Sequence, residues 1–170
     1  METHCAIWPC NNNYLRIGLD NLLKSEFCRH HFDEFIFVDF SLYNIKLFTN
    51  DNWLDFIEKT HMYIILIHDK HMEALANYWS HASLKITKTL SKKESFKFIT
   101  LSSGRERRLY THNSITDAEL TVLNLALAGR SVRDIAYILG CHQKRIYSLQ
   151  YSIERKMGIR LKSIFIGTQS

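Results

Sequence analysis

One proline and six glycines among 170 residues are too few for a disordered, low-complexity or collagenous chain. The four cysteines, Cys5, Cys10, Cys28 and Cys141, share no C-x-x-C spacing, and in a reducing compartment they are expected as thiols. Long hydrophobic runs are missing as well. The longest wholly apolar stretch, Met62-Tyr63-Ile64-Ile65-Leu66-Ile67, falls far short of the ~18 residues that a membrane span requires. The sequence begins without a basic segment leading into an apolar one, so no secretory signal is expected and the chain is placed in the cytoplasm. At this length a single-chain barrel enzyme is excluded, and one or two small domains are expected.

What is present is 46% hydrophobic and 12% aromatic content, enough to build a core, and a charge that is unevenly placed. Residues 1–90 hold 8 Lys+Arg against 11 Asp+Glu, a net of −3, whereas residues 91–170 hold 14 against 6, a net of +8. A basic second half beside an acidic first half points to a polyanionic partner for the second half.

The first half alternates strand and helix signals. Strands are expected at residues 4–8, 35–38, 62–67 and 84–87, and helices at 14–27, around Trp53, Phe56 and Ile57, at 71–80 and at 94–100. Pro9-Cys10-Asn11-Asn12-Asn13 reads as a turn. This alternation predicts an α/β domain with a parallel sheet over residues 1–101. Residues 102–114, which open Ser102-Ser103-Gly104-Arg105-Glu106-Arg107-Arg108, have no apolar period and read as a linker.

From residue 115 to 170 the pattern is all-helical. Thr116-Asp117-Ala118-Glu119 has capping-box spacing, and Gly129 ends that helix. Ser131-Val132-Arg133-Asp134 starts a second helix, with Ile135, Ala136 and Leu139 facing inward and Gly140 in the turn after it. A third helix spans about 142–157. At about 100° per residue, Ile146, Leu149, Ile153 and Met157 share its packed sector, while Lys144, Tyr147, Ser148, Tyr151 and Arg155 line the opposite one. Two helices joined by a short Gly turn, the second of them basic, make a helix-turn-helix. Cations suit phosphates, and Tyr and Ser hydroxyls reach base edges. Arg145, Lys156, Arg160 and Lys162 stand at the margins of the face, where backbone contacts are expected.

Residues 115–166 resemble the DNA-binding domain of LuxR-type (NarL/FixJ-type) bacterial regulators. The pattern of those proteins runs L-T-x-R-E-x-E-V-L, G-x-S-x-x-E-I-A-x-x-L, x-T-V-x-x-H and I-x-x-K-L-G. Ile115, Thr116, Glu119, Val122 and Leu123 match the first segment. Gly129, Ser131, Asp134, Ile135, Ala136 and Leu139 match the second, and Ile146, Ile153, Lys156, Met157 and Gly158 match the rest, without gaps. The resemblance implies base reading by Tyr147, Ser148 and Tyr151 and phosphate contacts by Lys144, Arg145 and their neighbours. Arg145 in place of the usual Thr, Leu149 in place of the usual His, and Tyr at reading positions bear on sequence preference more than on binding. The resemblance also implies a fourth helix, often dimerising, starting near Leu161 with Ile164 and Phe165 as apolar contacts.

In the same regulators the front domain is often a phosphoacceptor receiver, with an acidic pair after its first strand, an Asp after its third and a Lys after its last. Trp8-Pro9-Cys10 stands where the acidic pair would be, and hard cations want oxygen ligands, so no Mg²⁺ site is expected. Asp39 and Asp69 read as ordinary strand-end residues, with Lys88 after the last strand. The domain resembles a degenerate receiver about one βα unit short. Ile7-Trp8-Pro9 and Glu73-Ala74-Leu75-Ala76-Asn77-Tyr78-Trp79 are similar to segments of enterobacterial fimbrial regulators of the EcpR (MatA) kind, which implies control of pilus or surface-adhesion genes. Leu75, Tyr78 and Trp79 read as core in preference to a partner surface.

Neither His68-x-x-His71 with Asp69 nor Cys28-Arg29-His30-His31 supplies four metal ligands, and Cys28 with His31 lacks an orienting or oxyanion group. No metal, cofactor, small-molecule ligand or catalytic residue is expected. The expected partners are double-stranded DNA and a second regulator chain, identical or different. The alternative is an auxiliary co-regulator that heterodimerises and binds DNA weakly alone.

Overall fold

The computed structural model describes residues 6–23, 35–92 and 113–167. The first half is built on four strands, β1 (Ala6–Trp8), β2 (Phe35–Phe40), β3 (Tyr63–His68) and β4 (Ile86–Ser91), paired in the order β1-β2-β3-β4 and all parallel. Parallel neighbours need crossovers, and here these include α1 (Asn13–Leu23), α2 (Asp51–Lys59) and α3 (Glu73–Ala82). Because the sheet is covered on both faces, β2 and β3 are almost wholly buried along their length.

Strand alternation sends Ile36, Val38, Phe40, Ile64, Leu66 and Ile86 to one face, which packs with Trp53 and Ile57 of α2 and Leu75 and Trp79 of α3. Phe37, Ile65, Ile67 and Leu90 form the core of the other face with Leu19 of α1. Trp8 stacks on Trp53 and Phe56 with ring centroids 5.5 and 4.7 Å apart, so the short β1 is fixed by aromatic contact as well as by pairing. The Trp79 indole N–H finds the Phe48 carbonyl at 3.0 Å.

The last strand begins two residues later than its apolar pattern suggests. Leu84 is exposed in the preceding turn, and Lys85 turns back to donate to the carbonyls of Ile57, Glu58 and Thr60 at 2.8, 2.7 and 2.9 Å. A cation there satisfies orphan acceptors at the end of α2. The start of α3 is delayed similarly, because Asp69 caps a short 3-10 turn, Lys70–Met72, that precedes it.

The second half consists of α4 (Asp117–Leu127), α5 (Val132–Ile138), α6 (Gln143–Met157) and α7 (Leu161–Gly167). Ile115, Val122, Leu123, Ile135, Ile146, Ile153, Met157, Leu161 and Ile164 are buried and join the α2/α3 side of the sheet core in one continuous cluster. Both halves therefore share a hydrophobic interior. The helix expected at 94–100, residues 102–112 of the expected linker, the extension of the first helix to Phe27 and the Cys28/His31 pair lie outside the described residues.

Candidate nucleic-acid interface

The starts of α4 and α5 and the turn before α6 each have a local cause. Thr116 accepts from the Glu119 N–H at 3.3 Å while the Glu119 carboxylate accepts from the Thr116 N–H at 2.8 Å, completing the capping box of α4. A second box starts α5, with Ser131 and Asp134 bonded reciprocally at 3.2 and 3.1 Å. The Ser131 hydroxyl and N–H hold the Asp134 carboxyl below its ordinary range. Gly140, at φ 59°, makes the left-handed turn that separates α5 from α6.

Helix α6 has two contrasting faces. Ile146 and Ile153 are completely buried and Met157 nearly so, with Leu149 half-buried beside them. Lys144, Arg145, Tyr147, Ser148, Tyr151 and Arg155 are all exposed, Tyr147 at 58% and Tyr151 at 69%. Large aromatic rings left this open on a folded helix are available for contact. The Ser148 hydroxyl donates to the Lys144 carbonyl at 3.1 Å, which leaves its oxygen as an acceptor toward solvent. Beyond this stripe, Arg155 and Arg160 flank a shallow cleft of about 310 Å³ where α6 turns toward α7.

Lys156 and Ile164 both differ from what the sequence predicts. Lys156 does not stand free for backbone contacts: its ammonium lies 2.6 Å from the carboxylate of Glu119, only 3% exposed, and ties α6 to α4. Burial pushes the Glu119 carboxyl up, but hydrogen bonds from Lys156, Ser152 and the Thr116 N–H outweigh it and hold the group below its ordinary value. Ile164 is likewise not an open dimer contact, because it is 1% exposed and packs with Leu161 inside its own chain. The Phe165 side chain lies outside the described residues. The N–H of Leu161 donates to Glu154 at 2.9 Å, so a carboxylate of α6 also anchors the start of α7.

The front domain holds a further correction. Asp39 is no ordinary strand-end residue: it is 3% exposed, accepts from the Asn12 amide at 2.7 Å and pairs with the Lys92 ammonium at 3.0 Å. Lys88 lies within β4, and Lys92, the first residue after that strand, makes the ion pair. Sequence reading missed this trio because its members are far apart in the chain and only the parallel topology gathers the strand ends. Asp69 accepts from the N–H groups of Leu42 and His71 at 2.7 and 3.0 Å. His68 contacts the Asp69 carbonyl, and His71 contacts the Met157 carbonyl in the other domain. The would-be metal ligands are thus engaged separately, and the described residues contain no group of three or more His, Cys, Asp or Glu placed to hold a metal.

Leu75 and Trp79 are core residues, as expected, whereas Tyr78 is half-buried and donates to Asp117 at 2.8 Å. Burial, with the bond to Asp117, raises its phenol to about 12. Among the described residues, no helix is long and apolar enough to cross a membrane.

Comparison with known proteins agrees with this architecture. Residues 1–105 match the family model of the EcpR N-terminal domain, and residues 113–164 match that of the bacterial regulatory proteins of the luxR family. A curated protein of Escherichia coli (strain K12), described as uncharacterized protein YqeH, is 28% identical over 170 residues that cover 97% of this chain and 81% of that protein. No solved structure matches. The chain belongs to the EcpR N-terminal domain family and, with its luxR-type helix-turn-helix domain, is a DNA-binding regulator.

Proposed function

We propose that α6 enters the major groove, with Tyr147, Ser148 and Tyr151 at base edges and Lys144, Arg145 and Arg155 on flanking phosphates. The observation that carries this reading is the division of α6 into a sealed apolar stripe and an opposite stripe of five exposed cationic, hydroxyl and aromatic side chains, with exposed Arg145 at its margin. Ser148, its proton engaged within the helix, suits an amino donor of cytosine or adenine. The chain acts as a homodimer or as a heterodimer with another regulator, so that two half-sites lie about one helical turn apart. Its divisions are 1–101, a linker at 102–114, and 115–170. Its targets are pilus or surface-adhesion genes, in keeping with the EcpR-type front domain, and it works at the nucleoid in the cytoplasm.

The front domain acts without phosphorylation. The carboxylate of Asp69, the residue that follows β3, is already engaged by the N–H groups of Leu42 and His71, and Trp8-Pro9-Cys10 stands where an acidic pair would be required. Genome-wide occupancy of the tagged chain, repeated with Tyr147→Ala, tests the reading. Discrete peaks that fade in the variant support it, and occupancy indistinguishable between the two refutes it.

The auxiliary co-regulator reading is favoured by one feature. Tyr14 and Ile17 stand exposed one turn apart on α1, offering an apolar contact to another chain. Operator binding only in a mixture with a second DNA-binding protein would select that reading.

A further inference from the structure

Five hydrogen bonds link the front domain, residues 113–115 and the helix-turn-helix, and they gather around the end of α6 and the start of α4. Nδ1 of His71 lies 2.9 Å from the carbonyl oxygen of Met157. A carbonyl only accepts, so Nδ1 carries the proton and donates. Asn113 donates to the carbonyl of Lys156 at 3.3 Å and receives on its own carbonyl the amide of Asn77 at 2.9 Å. Lys156 and Met157 end α6, where carbonyls have no partners within the helix. At the start of α4, Tyr78 donates to Asp117 at 2.8 Å, and the Ile115 N–H donates to Ala74 at 3.2 Å. The apolar cluster runs through this junction, bringing Ala74 and Leu75 of α3 together with Met157 of α6. None of these contacts covers the exposed stripe of α6, which faces away from them.

We propose that His71 and Tyr78 are positioning residues for DNA recognition: the front domain grips the last turn of α6 and the first turn of α4 and presents the reading stripe outward. The proposal rests on the reading of α6 given above. Arg155 stands two residues before the carbonyl that His71 holds, and Tyr151 one turn earlier, so fixing this end orders both side chains before DNA arrives. Ordering a contact in advance removes its entropic cost from the binding step. The front domain is then a brace, and detaching it weakens DNA binding. A covering lid would have the opposite effect.

The test uses the full chain and short duplexes that the wild-type protein enriches from a random-sequence pool, with unselected duplex as control. His71→Ala and Tyr78→Phe each weaken binding of selected duplex about two- to tenfold, the range expected for one lost hydrogen bond. His71→Asn, which places an amide nitrogen near the position of Nδ1, restores most of the loss. His71→Ala combined with Arg155→Ala costs less than the two losses multiplied, because both act on one contact. Hydrogen exchange of the final-turn amides of α6 quickens in His71→Ala. Unchanged or tighter binding in both His71→Ala and Tyr78→Phe overturns the proposal. If Tyr147→Ala and Arg155→Ala weaken binding in that case, only the brace has failed; if they too change nothing, the reading of α6 itself has failed.

Discussion

The pairing of Lys156 with Glu119 offers a quantitative check on how α6 is held. Glu119 is 3% exposed, and the same carboxylate oxygen takes the Lys156 ammonium at 2.6 Å and the Thr116 N–H at 2.8 Å, while Ser152 supplies a further hydrogen bond. Lys156→Met removes the countercharge and leaves the carboxylate buried with two neutral donors. Breaking a buried pair this way costs roughly 3–5 kcal/mol, and the remaining donors put this case at about 3 kcal/mol. For a chain of this size that lowers Tm by roughly 6–12 °C. Denaturation of Lys156→Met, Glu119→Gln and the double variant gives the coupling directly, and the double variant recovers at least about 1 kcal/mol because no buried charge is left unpaired. A loss below about 0.5 kcal/mol in Lys156→Met, the scale of a solvent-exposed ion pair, would refute the reasoning.

The same carboxylate predicts a pH dependence. Its folded value lies below the ordinary one, so the folded state takes up this proton less readily than the unfolded chain. Its contribution is complete above the unfolded pKa of about 4.3 and is lost as pH falls through the lower folded value. Stability measured from pH 6 to 3 therefore declines in acid, and less steeply in Glu119→Gln. An equal slope in both proteins would exclude Glu119 as a source.

Gly158 ends α6 at φ 65°, and a Cβ there meets nothing closer than His71 Nδ1 at 3.8 Å, so Gly158→Ala costs about 1–2 kcal/mol from backbone strain alone, measurable by urea unfolding. Trp53 is fully buried among Trp8, Phe40, Phe48 and Trp79, and Trp53→Ala costs about 3–5 kcal/mol in the same assay. Lys92→Met leaves Asp39 buried with Asn12 as its amide donor and lowers Tm, without altering affinity for selected DNA. A Tm equal to that of the wild type would show that the Asp39 pair carries no stability.

Local patterns make the helix-turn-helix legible in the sequence. Thr116 with Glu119 and Ser131 with Asp134 are three residues apart, and Ile146, Ile153 and Met157 repeat at helical spacing, so caps and buried face follow from the sequence. The exposed stripe followed by subtraction. The role of Lys156 is not legible in the sequence because its partner is 37 residues away and its position on the helix resembles that of the solvent-facing cations beside it. The same holds for Ile164: apolar periodicity identifies a buried face, not whether the chain itself or a second chain buries it. Asp39, Asn12 and Lys92 share no local motif at all, and neither do His71 and Met157. Such contacts depend on topology, which a one-dimensional pattern does not carry.

The central claim, that the exposed stripe of α6 reads DNA, is tested most directly by the salt dependence of binding to selected and unselected duplex, measured for wild type, Lys144→Ala and Tyr147→Ala. Neutralised phosphates release counterions, so wild-type affinity falls steeply with salt, and Lys144→Ala flattens the log–log slope by about one on every sequence. Tyr147→Ala keeps the slope but loses about tenfold of the preference for selected duplex. Slopes and preferences equal to wild type in both variants would contradict the account.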